Sequence, residues 1–403
     1  MKNFKCFPQF VCAVLFLIAI FLFGAPTLVD RADDIYKSIT GSLKYSEGLF
    51  KTYQKVHQSF VEETEVDSFT ENLWNRLFFI DIYSIAQRVT LSVVNEDVSE
   101  IILKDNNGKL HFSEPRTDVS KYAENMINLQ NSINAPILFV QAPNKKLKGY
   151  TQLPKYFDNF SNENADDFLS AIEGKVEYLD LRDVLEQEKL DKKELFYVTD
   201  HHWTVETAFW GYRKTVEKLR QSFDIDIDAE DFFSDINNYT KYEYPKSFLG
   251  AQGRRVGRFY VGVDDYTLIL PDFETSFVTN DTITSPEKTV AEGDFRQAFI
   301  DEEILSSKDV LSDRHSAYLS MDRGELIITN KLNANGKKIL MVKDSFARPY
   351  ACFMATGVSE IAMVDMRYLP VRTKLADYIN EYAPDVVIFL YNTEVYTDTM
   401  FRF

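Results

Sequence analysis

The sequence predicts a layered α/β fold built on a mainly parallel sheet. Three observations carry that expectation. Short apolar runs alternate with helical stretches from about residue 136 to 222, and again from 337 to 392. Those runs are apolar at nearly every position, as strands buried on both faces must be. Two polar clusters, Asp200-His201-His202 and Asp344-Ser345, stand where an extended run gives way to a helix. In such a sheet that is the carboxyl edge, where ligands bind.

The elements follow in order. Lys2 and Lys5 precede an uncharged run from Phe7 to Val29, long enough for one span, which needs about 20 apolar residues. Phe23-Gly24-Ala25-Pro26 offers no small-x-small cleavage site. The run is therefore expected to be an uncleaved signal-anchor rather than a removed signal peptide. Lys2 and Lys5 before it, against Asp30, Asp33 and Asp34 with only Arg31 after it, orient the rest of the chain outward. The expected organisation is 1–29 as cytoplasmic tip and transmembrane helix, 30–72 as a helical extracytoplasmic stalk, and 73–403 as the main domain.

Within that domain, 73-LWNRLFFIDIYSIAQRVTLSVV-94 reads as a packed entry helix. The stretch 99-SEIILKDNNGKLHF-112 reads as a hairpin turning at Asn106-Asn107-Gly108. Helices are expected at 117–134, 163–174, 204–222, 346–357 and 372–384, and strands at 136–143, 175–181, 337–345, 359–365 and 385–392. Between about 223 and 330 short runs and turns such as 258-RFYVGVDDYTLILP-271 predict a β-rich insertion or lid.

The formal charge of −17 excludes a general nucleic-acid binder, which needs basic surface to neutralise phosphates. Cys6, Cys12 and Cys352 fit neither a disulfide framework nor metal spacing.

Two motifs carry chemistry. In 339-ILMVKDSFARPY-350 a serine stands at a strand's carboxyl end and near a helix start. Backbone N–H groups there can hold an oxyanion; Asp and Ser are also ordinary helix caps. In 197-YVTDHHWT-204, residues i and i+2 of an extended segment share a side, so Asp200 can support the His202 imidazole. A nucleophilic serine needs that base and orienting acid. His201 then points toward packing or substrate, and Trp203 toward a pocket wall. Asp200, His201 and His202 also remain open as metal ligands. His57, His111 and His315 are isolated, and His57 and His111 read as surface histidines.

Two further motifs carry weaker signals. The run 223-FDIDIDAEDFFSD-235 begins like a calcium loop, but Ala229 stands where such a loop needs Gly, and a solvated edge strand is expected. The glycines and arginines of 249-LGAQGRRVGRFY-260 lack the Gly-Lys-Ser/Thr of a phosphate loop. They read as a surface turn, or as a flexible loop bringing Arg254, Arg255 or Arg258 to an anionic or sugar ligand.

The residues 200-DHHW-203 resemble the bacterial DHHW proteins, similar to the AlgJ and AlgX type of alginate O-acetyltransferase in the SGNH hydrolase superfamily. The resemblance extends over 73–88, Ala142-Pro143, 337–347, 361–369 and 384–392. It implies an SGNH hydrolase-like fold and a triad of Ser345, His202 and Asp200. The implied enzyme is extracytoplasmic and membrane-attached. It moves acetyl groups onto or off a cell-surface polysaccharide, beside a membrane-bound O-acyltransferase that delivers the acetyl donor. The Gly-Asp-Ser usual in the superfamily reads Lys343-Asp344-Ser345 here. The expected oxyanion donors are the Ser345 and Phe346 N–H groups, with Tyr350 or Arg348 as helpers. His201, Trp203 and Arg254 are the further substrate candidates, and polymer is expected to bind the domain's own surface. No metal or cofactor is expected.

Overall fold

The computed structural model describes residues 94–96, 101–155, 157–281, 283 and 289–403. The expected signal-anchor, stalk and most of the entry block lie outside them. Among the described residues, no helix is long and apolar enough to cross a membrane.

In chain order the elements are β1 (Val94–Glu96), β2 (Ile101–Lys104), β3 (Leu110–Phe112), α1 (Ser120–Ser132), β4 (Ile137–Gln141), α2 (Ser161–Ile172), β5 (Glu177–Asp180), α3 (Leu181–Glu188) and α4 (Val205–Phe223). Then come β6 (Tyr239–Phe248), α5 (Ala251–Val256), α6 (Arg258–Val261), β7 (Asp264–Pro271), β8 (Phe277–Asn280), β9 (Thr289–Gly293), α7 (Phe295–Phe299) and α8 (Glu302–Ser306). The chain closes with β10 (Glu325–Asn330), β11 (Lys338–Lys343), α9 (Ala347–Met354), β12 (Glu360–Val364), α10 (Leu375–Tyr382) and β13 (Val386–Tyr391).

Eight strands form the main sheet in the order β5-β4-β13-β11-β12-β10-β8-β9. The first five run parallel, and β10, β8 and β9 continue it antiparallel. The apolar runs explain the parallel core. All six residues of β13 and all five of β4 are buried, because helices cover both faces. Alternate residues serve alternate faces. Leu138, Val140, Ile339 and Met341 pack with α4 and α9 on one side, while Ile137, Phe139, Leu340 and Val342 pack with α1, α2 and α10 on the other. Each such side chain, fully buried, contributes roughly 1.5–3 kcal/mol.

The hairpin is present, with β2 and β3 antiparallel around Asn106-Asn107-Gly108. The region 223–330 is less separate than an insertion. β6 and β7 do form their own two-stranded ribbon, but β8, β9 and β10 belong to the main sheet. The expected edge strand over 223–235 is a loop instead. Asp224 ends α4 in the left-handed conformation, and buried Asp228 turns inward to accept the N–H groups of Phe233 and Ser234. A carboxylate satisfied by its own following backbone favours a turn over a ladder.

Candidate active site

Ser345 lies two residues past the end of β11, in the turn that leads into α9. His202 lies before α4, on the segment that returns from Phe196 to Trp203 through an isolated bridge. The fold brings the two together. His202 Nε2 stands 2.7 Å from Ser345 Oγ, and His202 Nδ1 stands 2.6 Å from Asp200 Oδ1. Asp200 and His202 are 1% and 6% exposed, and Ser345 is 9% exposed. The carboxylate therefore faces one ring nitrogen and the hydroxyl faces the other.

The Asp200–His202 pairing does not arise from an extended segment. Residues 198–202 are bends, and Asp200 Oδ1 also accepts the backbone N–H of His202 at 3.0 Å. A carboxylate that caps the N–H two residues on makes an Asx turn, and this turn folds the imidazole back onto its own acid.

Three elements grip this turn. Asp264, at the start of β7, accepts the N–H groups of Val198 and Thr199 and the Thr199 hydroxyl. Lys145, past the end of β4, donates to the Asp200 carbonyl at 2.7 Å and to Gln252 Oε1 at 2.6 Å. The start of α5 supplies the Ala251 N–H to Asp200 Oδ2 at 2.8 Å and the Gly253 N–H to the Thr199 carbonyl at 2.7 Å. Here the 249–260 motif finds its use. Gly250 and Gly253 let α5 touch Thr199 and Asp200, where a β-carbon would collide. The motif forms α5 and α6 rather than a surface turn or a loop.

The nucleophile's turn is fixed by Asp344. Its carboxylate accepts the Phe346 N–H at 2.8 Å, the Asn392 N–H at 2.7 Å and the Asn392 side-chain amide at 2.9 Å. Burial lifts its pKa to about 6 in spite of those donors. Lys343, the residue before Asp344, pairs with Asp322 and Asp365.

The environment sets the charges. Burial alone would raise the Asp200 carboxyl, but the His202 and His201 imidazoles outweigh it and hold the carboxyl well below the usual range. Burial, with His201 and His315 beside it, keeps His202 well below an ordinary imidazole, against the pull of Asp200. Burial lowers Lys145 to about 7.

The other sequence candidates separate. Trp203 is fully buried and donates its indole N–H to the Phe346 carbonyl at 3.1 Å, so it braces the serine's turn rather than walling a pocket. The Phe346 N–H is taken by Asp344, which removes it as an oxyanion donor. Tyr350 is fully buried against Trp203 and Tyr212, on the core side of α9. Arg348 is spent on Asp322 and Ser316. Arg254 reaches the Leu311 carbonyl at 3.5 Å and is not among the hydrogen-bond partners of Ser345. The Ser345 N–H makes no hydrogen bond among the described residues. His201 lies beside His202, ring centroids 3.9 Å apart, between Phe112 and Phe346, with its side chain 27% exposed.

Asp200, His201 and His202 do offer donor atoms within 4.8 Å of one another, a spacing a metal ion tolerates. Both ring nitrogens of His202 are committed to protein partners, however, and a metal would have to displace one of them. His111 is not a surface residue. It is 3% exposed and bonded to Asp105 at 3.0 Å. His315, isolated in sequence, stacks on His202. No local spacing signals that contact.

The comparisons agree with this architecture. Residues 114–243 match the family model of the SGNH hydrolase-like domain of the acetyltransferase AlgX, a span that holds Asp200 and His202 but not Ser345. Among curated proteins, none matches the sequence. A DHHW family protein from Eubacterium siraeum superposes with a TM-score of 0.58 at 16% identity, over 77% of this chain and 96% of that one. Bacillus cereus PatB1, solved with a sulfonyl adduct, superposes with a TM-score of 0.59 at 21% identity, over 77% of this chain and 98% of that one. At such identities the structural likeness is one of fold. The resemblance carried by 200-DHHW-203 is thus matched twice, by the family model of the AlgX SGNH hydrolase-like domain and by the fold of a DHHW protein.

Proposed function

We propose that the protein is a serine-dependent O-acetyltransferase that acts on a cell-surface or secreted polysaccharide through an acetyl-Ser345 intermediate. One observation carries the chemistry: Ser345 Oγ, His202 and Asp200 form a continuous hydrogen-bonded chain of 2.7 and 2.6 Å. His202 Nε2 takes the Ser345 proton as Oγ attacks the acetyl carbonyl, and Asp200 holds the ring and balances the imidazolium. The Ser345 N–H, which makes no hydrogen bond among the described residues, serves as donor to the developing oxyanion. His202 then protonates the departing group. A sugar hydroxyl, deprotonated by the same imidazole, takes the acetyl group and frees the serine. If water takes it instead, the same site is an acetylesterase. If Ser345 does no chemistry, the chain is a polysaccharide- or acyltransferase-binding protein.

The AlgX description supports acetyl transfer, and the resemblance of 200-DHHW-203 to the alginate O-acetyltransferases supports a polysaccharide acceptor. The uncharged run from Phe7 to Val29, with Lys2 and Lys5 before it, supports an anchored, outward-facing enzyme; a membrane-bound O-acyltransferase as its acetyl donor is what the family resemblance implies. The test is acetyl release from 4-nitrophenyl acetate, with acetyl-enzyme read by intact mass and an oligosaccharide series added as acceptors. Wild type is expected to form an adduct on Ser345 that Ser345→Ala cannot form. Equal release by the two proteins refutes a catalytic serine. Acetylated oligosaccharide marks a transferase, and acetate alone marks an esterase.

A further inference from the structure

We infer that His315 is a positioning residue of this site: it clamps the serine's backbone through Nε2 and roofs the His202 ring against water. The inference rests on the serine reading above. His315 stacks on His202 with ring centroids 3.5 Å apart and planes 11° apart, and its Nε2 lies 3.0 Å from the Ser345 carbonyl oxygen. A carbonyl only accepts, so this nitrogen carries the proton, and the neutral ring keeps its lone pair on Nδ1. One side chain thus touches both ends of the Ser345–His202 contact.

Its mount is built to hold still. His315 is 2% exposed in a short 3-10 turn, Arg314–Ala317. Arg314 donates to three carbonyls, those of Ser247, Leu305 and Ser307, at 2.7–2.9 Å. On the other side of His315, Ser316 accepts from Arg348 at 2.6 Å and donates to Asp313 at 2.7 Å. A ring anchored on both flanks fixes the plane of the ring it stacks on.

The two roles have separate consequences. Nε2–H holds the Ser345 carbonyl, and through it the turn that aims Oγ. The ring face keeps water from His202, whose neutrality depends first on burial. The groups facing His202 are Asp200, His201 and His315, and those facing His315 are His202, Arg348, Asp200 and Asp313. Burial and the Arg348 charge lower His315 itself to about 4. It therefore stays neutral near pH 7, with its Nε2 proton held by the Ser345 carbonyl.

The experiment measures sulfonylation of Ser345 by phenylmethylsulfonyl fluoride, followed by intact mass from pH 4 to 9, with ester turnover alongside. His315→Phe keeps the roof and loses the donor. Its labelling and kcat are expected to fall about tenfold, the effect of one lost hydrogen bond, with KM and the acidic limb in place. His315→Ala loses both, so its rate falls and its acidic limb moves to higher pH as water reaches His202. Far-ultraviolet circular dichroism and thermal melts accompany each variant, and the Phe arm decides if the Ala protein does not fold. Unchanged rates and limbs in labelled variants overturn the role of His315 while leaving the serine in place. An unlabelled wild type overturns the serine reading, and this inference with it.

Discussion

A β-carbon on Gly250 would stand 2.2 Å from the Asp200 Cβ and 2.5 Å from its Oδ2. The first residue of the 250-GAQG-253 stretch is small because the acid that orients His202 occupies the space. Gly250→Ala is therefore expected to push Asp200 aside and break the 2.6 Å contact with His202. A misplacement of about 1 Å costs roughly a hundredfold in rate. Acetyl release and Ser345 sulfonylation should both fall by that order. Wild-type rates in the variant would mean that α5 yields instead of Asp200.

Lys145 reaches the other side of the same turn. Lys145→Met keeps the stem and removes the donor to the Asp200 carbonyl and to Gln252. Two buried acceptors left without a donor cost about 1–3 kcal/mol each. The sign of the pH dependence follows from burial, which holds Lys145 at about 7 in the folded chain, below its ordinary 10.5. Its contribution to stability is full above 10.5 and is lost as pH falls from there through 7. Urea titrations at pH 7, 8.5 and 10 should show wild-type stability carrying this upward slope, and the Met variant lacking it.

Asp344 gathers three donors, two of them from Asn392, which lies 48 residues further along the chain. Asp344→Asn sets an amide N–H against at least one of those donors. The expected loss is about 1–3 kcal/mol of stability, with slower sulfonylation because the Ser345–Phe346 peptide is released. Thermal melts and labelling rates measure the two effects. An Asn variant equal to wild type in both would show that Trp203 and His315 hold the turn without Asp344.

The parts legible in the sequence are those whose physics is local. Strands β4, β11, β12 and β13 announce themselves because burial on both faces demands unbroken apolar runs. Asp200 and His202 stand two residues apart, and Ser345 sits at a strand end. What stayed hidden is tertiary. Lys145 meets Asp200 from 55 residues away, and His315 meets Ser345 from 30. Of the expected oxyanion donors, Phe346 is lost for a related reason: the sequence places it beside Ser345, but it does not reveal that Asp344 uses the Phe346 N–H. The antiparallel edge β10-β8-β9 was obscured because its strands are short and divided by loops and small helices.

Three imidazoles tie stability to pH. His202, His315 and His111 are all buried, and burial is the leading cause that lowers each of them below the ordinary 6.5. A depressed group contributes stability that is full above its unfolded pKa and lost as pH falls toward its folded one. The unfolded chain takes up protons near 6.5 while the folded chain refuses them, so stability declines as pH drops from 7 to 5. Three protons set an upper slope of about 4 kcal/mol per pH unit, and Asp344, whose buried carboxyl takes up a proton near 6 in the folded chain, offsets up to one of them. The depressed carboxyls of Asp105 and Asp200 act in the same direction, but only below the usual 3.8. Urea unfolding at half-unit steps, with proton uptake from the slope, should give a count falling by one in His315→Phe. A flat profile between pH 7 and 5 would mean that the three rings protonate without unfolding the chain.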